Sequence, residues 1–135
     1  MEPVATARAP RPGGHYSQAV VHGGLVYVSG QLPVEPSGGH VTGPVEDQVR
    51  RVLANLAAVL EAAGSGLDRV LRVTVYVSDI ALWGRVNAVY AEVFGDHRPA
   101  RSVVPTAGLH HGFAVEIDAI ATAGPVTPGA TPASR

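Results

Sequence analysis

The chain has 135 residues, 46% apolar and only 16% charged, with a formal net charge of −1 from 10 basic and 11 acidic side chains. That length suits one domain able to bury roughly two thirds of its unfolded surface, and the balanced charge, with every basic residue an arginine, lacks the dense basic stripe of a nucleic-acid binder. There is no cysteine, which excludes disulfides, thiolate metal sites and a cysteine nucleophile. No stretch reaches the ~20 apolar residues of a membrane-spanning helix, so a cytoplasmic location is the expectation.

Residues 1–14 carry three prolines and read as a flexible N-terminal segment. Structure is expected over 15–122 as a single domain. Tyr16 to Val21 and Leu25 to Ser29 are short extended runs about the turn His22-Gly23-Gly24. Pro33 to Pro44 is rich in breakers and reads as a loop or small hairpin. From Glu46 the period changes: Val49, Val52, Leu53, Leu56, Val59, Leu60 and Ala63 mark one helical face, stopped by Gly64 and Gly66. Val70 to Val77 returns to period two, with Leu71, Val73, Val75 and Val77 on one side and Arg72, Thr74 and Tyr76 on the other.

Ser78-Asp79 offers a cap for a second helix whose inward stripe is Trp83, Val86, Tyr90, Val93 and Phe94. Asn87 falls on that stripe and must find partners there, either a neighbouring backbone or a polar pocket. The last run, Phe113 to Thr122, sets Phe113, Val115, Ile117 and Ala119 on one face and Ala114, Glu116, Asp118 and Ile120 on the other. The two acids belong either to a solvated face or to a face covered by another subunit. Beyond Thr122, residues 123–135 alternate proline, glycine, threonine and alanine and read as a flexible tail.

The order of elements predicts an α+β fold of the form β-β-α-β-α-β-β, a mixed sheet with two helices packed on one face. Its opposite face is left bare, and a closed cyclic oligomer is the economical way to bury it. Arg101, in Pro99-Ala100-Arg101-Ser102, needs an anionic partner if it rests beside a packed sheet. The six histidines show no metal-ligand spacing, so no metal site is expected.

The blocks His15-Tyr16-Ser17-Gln18-Ala19, Val28-Ser29-Gly30-Gln31-Leu32, Gln48 through Asn55, Val86-Asn87-Ala88-Val89-Tyr90, Pro99-Ala100-Arg101-Ser102 and Val115-Glu116-Ile117-Asp118-Ala119 together resemble the RidA family, also called YjgF/YER057c/UK114. The resemblance spans 15–122. It implies a chorismate-mutase-like fold and a homotrimer with three clefts between subunits. The implied activity is hydrolysis of reactive 2-enamino and 2-imino acids to 2-oxo acids and ammonia, with no cofactor.

Carried onto this chain, the resemblance makes Arg101 the grip on the substrate carboxylate and Glu116 the group that activates water. Tyr16, Ser29 and Asn87 match pocket residues, Gly30 lies where the backbone runs close to the ligand, and backbone near Val103 helps hold the carboxylate. Val103 stands where a cysteine is common, and Gly14-His15 replaces the usual Gly-Pro. His15 and the loop His110-His111-Gly112 can therefore alter the pocket. Two other readings remain open at this stage: the same cleft acting on a different small carboxylate, and a non-catalytic trimer that binds a ligand or partner, or a ribonuclease as reported for some relatives.

Overall fold

In a computed structural model of the chain, which describes residues 1–123, the first hairpin turns on two glycines. β2 (Ala19–His22) and β3 (Leu25–Gln31) pair antiparallel, with His22 opposite Leu25. Gly23 and Gly24 between them adopt φ of 60° and 78°, the left-handed pair that matches the twist of the strands it joins.

After β3 come α1 (Val45–Ala62), β4 (Val70–Val77), α2 (Trp83–Phe94), β5 (Ala100–Pro105) and β6 (Val115–Thr122). The sheet order is β1-β2-β3-β6-β4-β5, where β1 is Glu2–Val4. β6 lies antiparallel to both β3 and β4, so those two are parallel to each other, and β5 is parallel to β4. Two crossovers of the usual right hand, made in the same direction along the sheet, send both helices to one face. The expected mixed α+β architecture is the one found.

The core lies between that face and the helices. Val73, Val75 and Val77 of β4, Val115, Ile117, Ala119 and Ala121 of β6, and Val49, Val52, Leu53, Leu56, Val59 and Leu60 of α1 are all buried. Each large side chain contributes roughly 1.5–3 kcal/mol by leaving water. Arg85 of α2 grips Glu46 of α1 through Nε and Nη2 at 2.8 and 2.7 Å. Those bonds hold the Glu46 carboxyl down at about 2.

Three expectations are corrected. Residues 1–14, read as loose, are tied down: Glu2–Val4 pairs with Ala19–Val21, Ala9 is buried, and so is Gln18. The Gln18 amide accepts from Thr6 N at 2.7 Å and donates to Thr6 O and Pro10 O at 3.1 and 2.9 Å. One buried amide thus replaces the packing that a proline-rich segment lacks, and it draws residues 16–18 out of the strand expected for them.

Leu71 does not join the core but is 48% exposed. The register shifts between Val70 and Arg72, and such a bulge inserts one extra residue, so that Val70 turns inward in its place. On α2 the buried residues are Val86, Val89, Tyr90 and Phe94, whereas Trp83 and Val93 are exposed. The helix leans on α1 as well as on the sheet, which rotates its buried stripe toward Val89. The tail expected to be flexible lies, apart from Ala123, outside the described residues; Ala123 N donates to Gly24 O at 2.8 Å.

Among the described residues, nothing covers the sheet's other face. Tyr27 (40% exposed), Leu71 and Val104 stand on it beside the half-buried Thr74, Tyr76, Glu116, Asp118 and Ile120. Among the described residues, no helix is long and apolar enough to cross a membrane.

Candidate active site

Glu116 stands in the middle of the sheet, on β6, opposite Tyr76 of β4. Alternation along β6 puts Val115 and Ile117 into the core and turns Glu116 and Asp118 to the open face. On its other flank β3 is irregular between Val28 and Gln31, and this bulge carries the Gly30 backbone up against the carboxylate. A Cβ at Gly30 would lie 3.0 Å from Glu116 Cδ and overlap Oε2. Glycine at this position therefore makes the space in which the carboxylate lies.

Partial burial raises the Glu116 pKa above its ordinary 4.5, the nearby Asp118 charge adds to the rise, and His110 opposes it. Tyr76 Oη donates to Asp118 Oδ2 at 3.3 Å, and the Asp118 charge raises the phenol in turn. Asp118 is thus occupied by Tyr76, while Glu116 makes no hydrogen bond or ion pair among the described residues. Gly30→Ala tests this packing: the flexible carboxylate must swing aside, so turnover falls about tenfold or more while the melting temperature changes little. Activity equal to wild type in that variant rules out the close approach.

Ser29 and Tyr16 flank the same end of the sheet. Ser29 Oγ donates to Ser17 O at 2.6 Å and Ser29 N to Gln18 O at 2.9 Å, so the hydroxyl proton is engaged and the oxygen's lone pairs remain to accept. Tyr16 is half exposed, and its Oη accepts from Gly13 N at 3.2 Å. Its ring lines a void shared with Gly30.

Arg101 belongs to a second cluster. In register it faces Val73, so it shares the helix-covered face, at the sheet's outer strand. Arg101 Nη1 donates to Asn87 Oδ1 at 2.9 Å. The guanidinium lies 4.6 Å from the Tyr90 ring centre and 5.8 Å from that of Trp83, where cation–π attraction holds it flat. Among the described residues no carboxylate pairs with it. Burial raises the Tyr90 phenol, with the Arg101 charge acting against this.

Asn87 therefore serves the arginine rather than a neighbouring backbone, and it lines a depression with Arg101, Tyr90, Phe94 and Arg98. Val103, two residues along β5, is half buried against the core. Among the described residues β5 is an edge strand, and its outer edge, not the Val103 side chain, presents backbone groups near Arg101.

The structure thus brings Glu116, Gly30, Ser29 and Tyr16 to one place, and Arg101, Asn87 and the edge at Val103 to another. The two clusters lie on opposite faces of one sheet and do not meet within the chain. The sequence reading missed the Trp83 and Tyr90 stack as part of the site, although both share a helical stripe with Asn87. It also missed Gln48 and Asn55 as scaffolding. Gln48 Oε1 accepts from Ala114 N at 2.8 Å, and Asn55 Nδ2 donates to the carbonyls of Leu32 and Val34 at 3.1 and 2.8 Å. Among the described residues no group of three or more His, Asp or Glu is placed to hold a metal ion.

Residues 6–123 match the family model described as endoribonuclease L-PSP. The chain belongs to this family, the RidA/YjgF/RutC family. It is 44% identical over 121 residues to a RutC family protein of Pyrococcus horikoshii, covering 89% of this chain and 96% of that one. It is 41% identical over 125 residues to the 2-iminobutanoate/2-iminopropanoate deaminase of Rattus norvegicus, covering 92% and 91%. Among solved structures, TdcF of E. coli with bound serine superposes with a TM-score of 0.86 at 37% identity, covering 90% of this chain and 98% of that one.

Proposed function

We propose that the chain hydrolyses 2-imino and 2-enamino acids of the 2-iminopropanoate and 2-aminoacrylate type to 2-oxo acids and ammonia, as a cytoplasmic homotrimer with its clefts between subunits. The deaminase activity named for the rat relative supports the reaction. The observation that carries the reading is a guanidinium with no carboxylate partner and a carboxylate with no cation partner among the described residues, on opposite faces of one sheet. Only a second copy can bring such a pair together.

A trimer in which each bare sheet face covers its neighbour would bury Tyr27, Leu71 and Val104 and set the outer strand of one copy against β3 and β6 of the next. The planar guanidinium of Arg101, steadied by Asn87, then binds the substrate carboxylate through two parallel hydrogen bonds. This positions the imine carbon beside Glu116 of the neighbouring copy. Water adds to the carbon of the protonated imine as Glu116 accepts one of its protons, which gives the neutral carbinolamine. Glu116 returns that proton to the nitrogen, the C–N bond breaks as the hydroxyl oxygen closes to C=O and gives its remaining proton to the departing ammonia, and ammonium and the 2-oxo acid leave. No electrons are transferred, so hydrolysis requires no redox cofactor.

Tyr16 and Ser29 orient the water or the imine nitrogen, and edge backbone near Val103 assists the carboxylate. The endoribonuclease description of the family finds little support in this chain, where 10 arginines face 11 acids and no phosphate track results. The test is direct: imines made in place by an amino-acid oxidase should release ammonia faster with the protein than by spontaneous hydrolysis. Identical time courses with and without it reject the activity.

A further inference from the structure

We propose, resting on the deaminase reading, that the cleft continues past Gly30 and Tyr16 into a subsite for a second carboxylate, so that the preferred substrates are imines of dicarboxylic amino acids. A void of about 200 Å³ opens there, lined among others by Arg11, Tyr16, Gly30, Gln31, His40 and His111. It holds roughly six waters, or one short polar side chain. No Asp or Glu lines it, and Arg11 makes no ion pair among the described residues. An acid-free wall with a free guanidinium and two imidazoles is chemistry for an anion.

The histidines are set in place rather than left loose. His40 and His111 have ring centres 4.5 Å apart, and the edge of buried Phe113 supports both at 5.2 and 5.7 Å. His40 is fixed by a bridge to Val34, whose carbonyl Asn55 holds from α1. His111 has φ 58° and ψ 18°, and it is the one left-handed residue among the described residues that is not glycine. Such a conformation is strained for a residue that carries a Cβ, and it persists where the surroundings enforce it. Here it aims an imidazole at the void.

The void adjoins the reacting centre at Gly30, which lines it and against whose backbone the Glu116 carboxylate lies. With the α-carboxylate on Arg101 of the neighbouring copy and the imine carbon at Glu116, the proposal directs the substrate's side chain past Gly30 toward Arg11, His40 and His111. A methyl or ethyl group leaves these donors unmatched.

The experiment compares ammonia release from imines generated by oxidases from aspartate, asparagine and alanine. For the wild type, kcat/KM on the diacid imine exceeds that on the alanine imine by about tenfold or more. Arg11→Ala, at an exposed position, and His111→Gly, which tolerates the left-handed backbone, each lower that ratio about tenfold. A ratio that neither variant shifts, an alanine imine turned over as well as the diacid, or an asparagine imine equal to the diacid overturns the subsite. No acceleration with any imine overturns the deaminase reading and the subsite together.

Discussion

Glu116→Gln lowers kcat/KM for imine hydrolysis about 10²- to 10⁴-fold, the range that a positioned acid–base group supplies. The amide matches the carboxylate in shape and still fits over Gly30, so folding and assembly are retained. The pH dependence separates this role from a passive one. Water activation needs the ionised carboxylate, so wild-type kcat/KM rises with pH as Glu116 ionises. Because burial shifts that ionisation upward, the acidic limb lies above the ordinary carboxylate value of 4.5, and in the variant it disappears.

Stability has the opposite sign. A carboxyl whose pKa is raised by folding adds stability below its unfolded value, and this is lost as pH rises through its folded value. At neutral pH the glutamine variant should therefore melt no lower than wild type, so that catalysis is lost without loss of stability. A Glu116→Gln enzyme with wild-type kcat/KM and an unchanged acidic limb removes Glu116 from the mechanism.

The second large effect is at Arg101. Arg101→Ala removes the charge proposed to bind the substrate carboxylate and should cost roughly 2–5 kcal/mol of transition-state binding, about 30- to 5,000-fold in kcat/KM. Arg101→Lys recovers little, because an ammonium supplies a point charge without the planar fork. Mixing tests the geometry. When Arg101→Ala and Glu116→Gln chains are unfolded together and reassembled in equal amounts, a cleft that takes its arginine from one copy and its glutamate from the next is intact in about a quarter of cases. Roughly that fraction of wild-type activity returns. If both groups served one chain, mixing two dead proteins would recover nothing.

Much of the fold is written in periodicity. The change from period 3.6 to period 2 between α1 and β4 locates both, since Val49 to Leu60 and Val73 to Val77 alternate as a helix and a strand must. Leu71 escaped because a bulge has no periodic signal: the extra residue changes which side chains turn inward, and only the partner strand reveals it. The N-terminal segment escaped because its order comes from Gln18, a single amide twelve residues beyond the Thr6 backbone it holds.

Within the site, Glu116 and Arg101 were legible as residues and illegible as a pair. Sequence order places them on consecutive strands and says nothing of β4, which lies between those strands in the sheet, or of the opposite faces the two residues occupy. Gly30 could be singled out by resemblance alone. Its physical reason, the carboxylate lying on its backbone, depends on a bulge in β3. The Trp83 and Tyr90 stack was half visible, since both rings share a stripe with Asn87, but the cation between them comes from a strand that follows the helix.

The division of the two charged groups between faces also has a genetic consequence. In the proposed trimer each polypeptide would be half-owner of two reaction chambers, so one copy damaged at both groups would silence both chambers it touches and leave the assembly only the third. Such an allele should act dominantly when co-expressed with a healthy one. Dilution far enough to part the subunits should extinguish turnover before any helix melts.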